Sequence, residues 1–202
     1  MSGTVLAIAT HNEGKKREYQ LLLKEFPIRI KALSDFQKAL NLEEEGTTFE
    51  EVAKNKARTA SRLLNIPALA DDSGLMVEAL GGAPGIRSAR YAGTGATDHQ
   101  NNLKLLTAMA GKAQRNATFV CAIAIAKPTG QVVSYTGRCS GIITQKPIGT
   151  EGFGYDPLFY YPPLGRTFAQ LSPNKKNKVS HRGQAMGKLA YDFERILLWL
   201  QS

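Results

Sequence analysis

Apolar positions along the chain switch between a period of two and a period of about 3.6, and the switches mark strands and helices in turn. Residues 4–9 are an apolar, β-leaning run. After the polar stretch Thr10-His11-Asn12-Glu13-Gly14-Lys15, the spacing of Tyr19, Leu22, Leu23 and Phe26 predicts one face of a helix. Residues 28–33 read as a second strand. Thr47 with Glu50 fits a capping box, ahead of a helical face made by Phe49, Val52, Ala53, Lys56, Ala57, Ala60, Leu63 and Leu64. Residues 68–71 form a short apolar strand, Ser73-Gly74 has turn chemistry, and residues 75–77 read as a strand back. Thr97 with Gln100 fits another capping box before a stripe of Leu103, Leu106 and Met109. Residues 117–127 and 131–144 are β-rich on either side of Pro128-Thr129-Gly130, which predicts a hairpin. Residues 172–178 read as a polar loop, and residues 180–184 precede a last helix with Met186, Leu189, Ala190, Phe193, Ile196, Leu197 and Leu200 on its apolar face.

Composition narrows the class. With 202 residues, 43% of them hydrophobic, the chain can bury one large core or two intimately packed lobes. No run approaches the roughly 18 apolar residues of a membrane span, and residues 1–3 enter the first strand without a signal-like core, so a cytoplasmic protein is expected. Cys121 and Cys139 cannot build a disulfide framework and read as buried thiols. The net charge of +9 points to an anionic partner, whether nucleotide, nucleic acid or acidic membrane surface.

Candidate chemistry then gathers at a few places. Asp71 and Asp72 close a buried strand; adjacent positions on an extended chain face opposite ways, so only one suits any given cleft, and a solvated turn is the plainer reading of residues 69–75 alone. Asn12 and Lys15 stand at a helix N-terminus, where free N–H groups suit phosphate or an ordinary cap. Glu43, Glu44 and Glu45 form an acidic run. Lys56 lies in the apolar stripe of its helix, either snorkelling or serving a polyphosphate. Phe153, between Gly152 and Gly154, could stack on a base or fill a local pocket. His181 and Arg182 supply donors, or a cap, at the start of the last helix. Glu43, Glu44 and Asp72 are hard oxygen donors of the kind Mg²⁺ takes together with substrate phosphates.

The order of the blocks Thr10-His11-Asn12-Glu13-Gly14-Lys15, Glu44-Glu45-Gly46-Thr47-Thr48-Phe49, Ala70-Asp71-Asp72-Ser73-Gly74-Leu75, Gly81-Gly82-Ala83-Pro84-Gly85, Gly152-Phe153-Gly154-Tyr155-Asp156-Pro157 and Ser180-His181-Arg182-Gly183-Gln184 resembles the inosine triphosphate pyrophosphatase family, the XTP/dITP diphosphatases. The resemblance implies an α/β fold over residues 1–202, two-lobed, with a long central mixed β-sheet flanked by helices and an active-site cleft between the lobes. It implies cleavage between the α and β phosphates of ITP, dITP or XTP, a Mg²⁺ cofactor and a homodimer. Thr10, His11, Asn12, Glu13, Gly14 and Lys15 would hold phosphates with Lys56 and Lys176; Asp72 would be general base and metal ligand, with Glu43 or Glu44 completing the metal site. Ser73, Phe153, Gly154, Tyr155, Asp156, His181 and Arg182 would line the base and sugar pocket. His11 and Val52 depart from the family pattern, which more often has Gly and Asn there. The competing reading is a nucleic-acid binding protein, suggested by the charge and the basic residues around Lys175; carboxylates facing a phosphate cleft would repel such a backbone, so no stable nucleic-acid or membrane partner is expected.

Overall fold

The computed structural model describes residues 4–10, 13–36, 42 and 45–202, with the backbone alone for residues 13, 14, 17, 18 and 22. Among these residues β1 (Thr4–Ile8), β2 (Ile28–Ala32), β3 (Ala68–Val77), β4 (Asn116–Ala126), β5 (Val132–Ile143), β6 (Phe159–Tyr161) and β7 (Arg166–Thr167) form one open sheet in the order β2-β1-β3-β4-β5-β6-β7. The sheet is mixed. β1 runs parallel to β2 and β3, with Thr4 opposite Ile28 and Ala7 opposite Ala68, whereas β6 runs antiparallel to β5 and β7. The helices are α1 (Glu13–Leu23), α2 (Phe49–Leu64), α3 (Asp98–Ala108), α4 (Pro173–Val179) and α5 (His181–Gln201). The expected hairpin is β4–β5, closed where Lys127 N–H donates to the Gln131 carbonyl. Cys121 and Cys139 are both buried thiols.

The chain divides into two compact units: Met1–Asp72 with Ala122–Thr136 and Ala185–Ser202, and Ser73–Cys121 with Gly137–Gln184. In the first, Leu6, Ile8, Tyr19, Leu23, Leu69, Ile123 and Phe193 are fully buried. α2 turns Val52, Ala53, Ala57 and Ala60 inward, so Val52 packs in the apolar face. In the second, Phe119, Phe159 and Phe168 meet with ring centroids 4.6 and 4.8 Å apart, beside Leu75, Leu105 and Met109. β4 is buried from residue 119 to 126 and reads as a continuous apolar run, while β5 alternates buried and exposed over residues 137–143 because its other face is open.

Several expectations are corrected. The acidic stretch is not a turn: β3 continues extended through Asp71, Asp72, Ser73 and Gly74 to Val77. Asp and Ser make turns by bonding their own backbone, and here their side chains have distant partners instead, Lys15, Lys56 and Arg182. The cap of α2 lies one residue later than expected, with Thr48 Oγ1 accepting from Glu51 N–H and Glu51 Oε2 accepting from Thr47 N–H and Oγ1. Those hydroxyl and amide donors hold the Glu51 carboxyl below its ordinary range. The polar loop before the last helix contains α4, and His181 begins α5 rather than preceding it. Leu63 and Leu103 are 48% and 51% exposed, against the stripes drawn through them. In α3 the inward positions belong to Asn101, Asn102, Leu105 and Met109. Asn101 takes a buried place because its amide bonds Ala92 N–H and the Ala89 carbonyl, a reason hydrophobic periodicity does not register.

Candidate active site

In the first unit the chain leaves β1 still bound to β3, with Ala9 N–H donating to the Leu69 carbonyl at 2.7 Å, and then enters α1. From α1, Lys15 reaches the strand that bears the carboxylates. His11 and Asn12 lie outside the described residues, as does the side chain of Glu13. Lys15 Nζ lies 2.8 Å from Asp71 Oδ2, with side chains 18% and 1% exposed. Asp71, which alternation sets on the face opposite Asp72, thus has a lysine from the expected phosphate loop as its own partner. Asp72 is half-buried on the next position, and Lys56 Nζ from α2 stands 3.6 Å from its Oδ1, just beyond hydrogen-bond length. Lys56 reaches it from between Val52, Ala53, Ala57 and Ala60, so the aliphatic stem follows the buried stripe and the ammonium ends at the carboxylate.

Mg²⁺ needs only one or two carboxylates when substrate phosphates and waters complete its shell. Asp72 is a hard oxygen donor of that kind, and among the described residues no three His, Cys, Asp or Glu gather as a self-sufficient metal cage. A carboxylate of this kind fits a metal that also takes substrate phosphates. Glu43 and Glu44 lie outside the described residues; their neighbour Glu45 is anchored by its carbonyl, which accepts from Asn55 Nδ2 on α2 at 3.1 Å.

In the second unit Arg182, 6% exposed, donates from Nη2 to Ser73 Oγ at 3.2 Å. His181, also 6% exposed, stacks on Phe119 with centroids 4.6 Å apart and planes 10° apart. Phe153 is 50% exposed, and Lys176 Nζ and Arg182 Cζ lie 4.5 and 5.6 Å from its ring centroid. It does not plug a pocket; it is an open aromatic face attended by two cations. Asp156, 2% exposed, accepts from Lys176 Nζ and from Phe153 N–H. Burial pushes its carboxyl up, against the opposing pull of Lys176, the Phe153 amide and Arg182. A Cβ at Gly152, whose φ is +79°, would come 2.0 Å from Asp156 Oδ2, so only glycine lets the turn fold over this carboxylate. Likewise a Cβ at Gly183 would lie 1.6 Å from the Asn177 carbonyl oxygen, the close approach that lets α4 cross the start of α5 and bring Lys176 to Asp156. Tyr155, expected at the pocket lining, is 5% exposed and packs in the core of its unit, with its hydroxyl donating to the Ser88 carbonyl and its phenol pushed up by burial.

Sequence reasoning missed Asp98 and Asn102 of α3, which bond the backbone of Gly154, and Ser88, whose Oγ accepts from Leu75 N–H on β3. Asp98 directly follows a legible helix cap, but no local pattern ties residue 98 to residue 154.

A family model described as the Ham1 family matches residues 6–192. The chain belongs to the Ham1 family. Proteins similar to this Ham1 chain include the dITP/XTP pyrophosphatase of Syntrophobacter fumaroxidans, 50% identical over 202 residues covering 100% of this chain and 87% of that protein. Another is the dITP/XTP pyrophosphatase of Listeria innocua, 45% identical over 194 residues covering 95% and 96%. Among solved structures, a HAM1 protein from Coxiella burnetii has a TM-score of 0.90 at 41% identity, covering 95% of this chain and 99% of that one. The Staphylococcus aureus Ham1 protein has a TM-score of 0.89 at 39% identity, covering 96% and 100%. Among the described residues no helix of this Ham1 chain is long and apolar enough to cross a membrane.

Proposed function

We propose that this chain hydrolyses purine nucleoside triphosphates with oxygen at C6, namely ITP, dITP and XTP, to the nucleoside monophosphate and pyrophosphate, removing them from the nucleotide pool. The observation that carries the reading is the pair of adjacent carboxylates on β3, each beside its own lysine at 2.8 and 3.6 Å. The names of the related pyrophosphatases support the substrate class.

Residues 10–15 hold the phosphates, and the ion pairs keep the Lys15 and Lys56 side chains in place, so they need little reorganisation to meet an anion. Asp72 acts as general base. It takes a proton from a water whose oxygen attacks the α phosphorus in line; the bond from that phosphorus to the bridging oxygen breaks, and pyrophosphate leaves with that oxygen. Lys56 and Lys176 offset charge gathering on the departing group. Asp72, with Glu44 or Glu43, would hold Mg²⁺, which when bound polarises the phosphoryl oxygens. Phe153 stacks on the base, while Ser73, His181 and Arg182 line the base and sugar. Donors from His181 and Arg182 suit a C6 oxygen, and an adenine amino group would leave them unpaired at a cost of roughly 1–3 kcal/mol per buried group. We further propose that it works in the cytoplasm as a homodimer, a stoichiometry that sedimentation would measure.

The deciding experiment is pyrophosphate release from ITP, dITP, XTP, GTP, ATP and dUTP, with Mg²⁺ and with chelator. ITP, dITP and XTP are expected to lead, with activity lost on chelation. Equal rates on all six would sink the purine selectivity, and undiminished turnover in chelator would remove the metal.

A further inference from the structure

The turn carrying Phe153 lies outside regular secondary structure, yet all four backbone polar groups of Phe153 and Gly154 are engaged. Phe153 N–H donates to Asp156 Oδ2 at 2.9 Å, and the Phe153 carbonyl accepts from Asp156 N–H at 3.2 Å. The groups of Gly154 are met by a helix: its N–H donates to Asp98 Oδ2 at 2.6 Å, and its carbonyl accepts from Asn102 Nδ2 at 2.9 Å. Asp98 and Asn102 stand four residues apart on α3, one above the other on one face. That face therefore offers an acceptor and a donor spaced to grip the amide and carbonyl of a single residue. The helix is itself secured, since Thr97 and Gln100 form a reciprocal cap and Leu105 and Met109 are buried. The bond to Asp98 is charge-assisted, the stronger kind. The bond from Asn102, a side chain 8% exposed, needs an amide donor that a carboxylate cannot supply.

We infer that Asp98 and Asn102 are positioning residues for base recognition, locking the Gly154 peptide so that the half-exposed Phe153 ring is presented ready to stack. The inference rests on the pyrophosphatase reading and deepens it. A free glycine turn would have to be ordered as substrate binds, and that ordering would be subtracted from affinity; α3 has already ordered it. The bonds that hold the Phe153 and Gly154 backbone end on Asp98, Asn102 and Asp156, so the grip acts first on binding of the base.

The test compares Asp98→Ala and Asn102→Asp with wild type on ITP, using inorganic tripolyphosphate as a competitor that has phosphates and no base. Each variant is expected to raise KM for ITP roughly tenfold, the worth of one buried or charged hydrogen bond, with kcat within about twofold and tripolyphosphate inhibition unchanged. Asp98→Asn keeps an acceptor oxygen and should recover most of the lost affinity. The Gly154 amide should exchange with solvent faster in Asp98→Ala than in wild type. Asp98 is exposed, so its variants give the answer even if Asn102→Asp does not fold. An unmoved KM for ITP in Asp98→Ala, or a loss shared equally by tripolyphosphate, overturns the inference. A wild-type protein inactive on ITP defeats the pyrophosphatase reading instead, whereas an active wild type with unmoved variants defeats this inference alone.

Discussion

Two carboxylate–lysine pairs, one in each unit, use the same residue types to opposite ends. Asp72 and Lys56 have side chains 13% and 11% exposed and sit 3.6 Å apart, so the ammonium is close enough to bias the carboxylate and too far to be its hydrogen-bond donor. Asp156 and Lys176 are in direct hydrogen-bond contact, and the carboxylate, 3% exposed, also takes the Phe153 amide. A carboxylate held in a dense set of bonds fixes a backbone. Asp72 meets Lys56 at ion-pair distance, beyond a direct hydrogen bond. The first arrangement builds the Phe153 turn, and the second belongs to the carboxylate proposed as general base.

The largest test of this contrast is Asp72→Asn. It should lower kcat for pyrophosphate release by about 10²–10⁴-fold, the usual worth of a positioned base, while leaving the melting temperature nearly unchanged. Asp71→Asn should keep more activity than Asp72→Asn; the reverse order would reassign the base. Asp156→Ala, unlike Asp72→Asn, should act on stability, costing roughly 3–5 kcal/mol of unfolding free energy by stranding Lys176, as urea denaturation would show.

The Asp156 pair also has a pH signature. Burial raises its carboxyl, so the folded state holds that proton more tightly than the unfolded chain. Its contribution to stability is thus full below the ordinary carboxylate range and declines as pH rises through the folded value. Urea unfolding of wild type and Asp156→Asn, followed upward from about pH 3, should show the difference moving in favour of the variant as the wild-type carboxyl ionises. A constant difference would show the carboxyl to be unperturbed.

A smaller effect is expected from Phe153→Ala, which leaves the Asp156–Lys176 bond but removes the ring under the ammonium. Affinity for ITP should fall by roughly 1–3 kcal/mol, read as KM, with tripolyphosphate inhibition preserved. Smallest is Thr48→Ala, which removes the cap of the helix carrying Lys56 and should cost about 1 kcal/mol in thermal unfolding.

Most of the element order follows from local periodicity and turn chemistry, so the hairpin at Pro128-Thr129-Gly130, the Thr97 cap and the buried face of α5 are legible in the residues alone. The ordered blocks also determined the family, since their spacing is a linear property. The states of residues whose partners are remote in sequence come from the folded chain. Asp71 and Asp72 read locally as a turn, and lysines 56 and 16 positions away along the chain hold them in an extended strand. Residues 173–179 read as a loop until the close approach of Asn177 to Gly183 gives their helix a place. Asn102, polar and mid-helix, faces inward because its partner is the Gly154 carbonyl, 52 residues away. Periodicity reports where water is excluded; it does not report which buried polar group has found a partner, and that pairing sets the chemistry of the site.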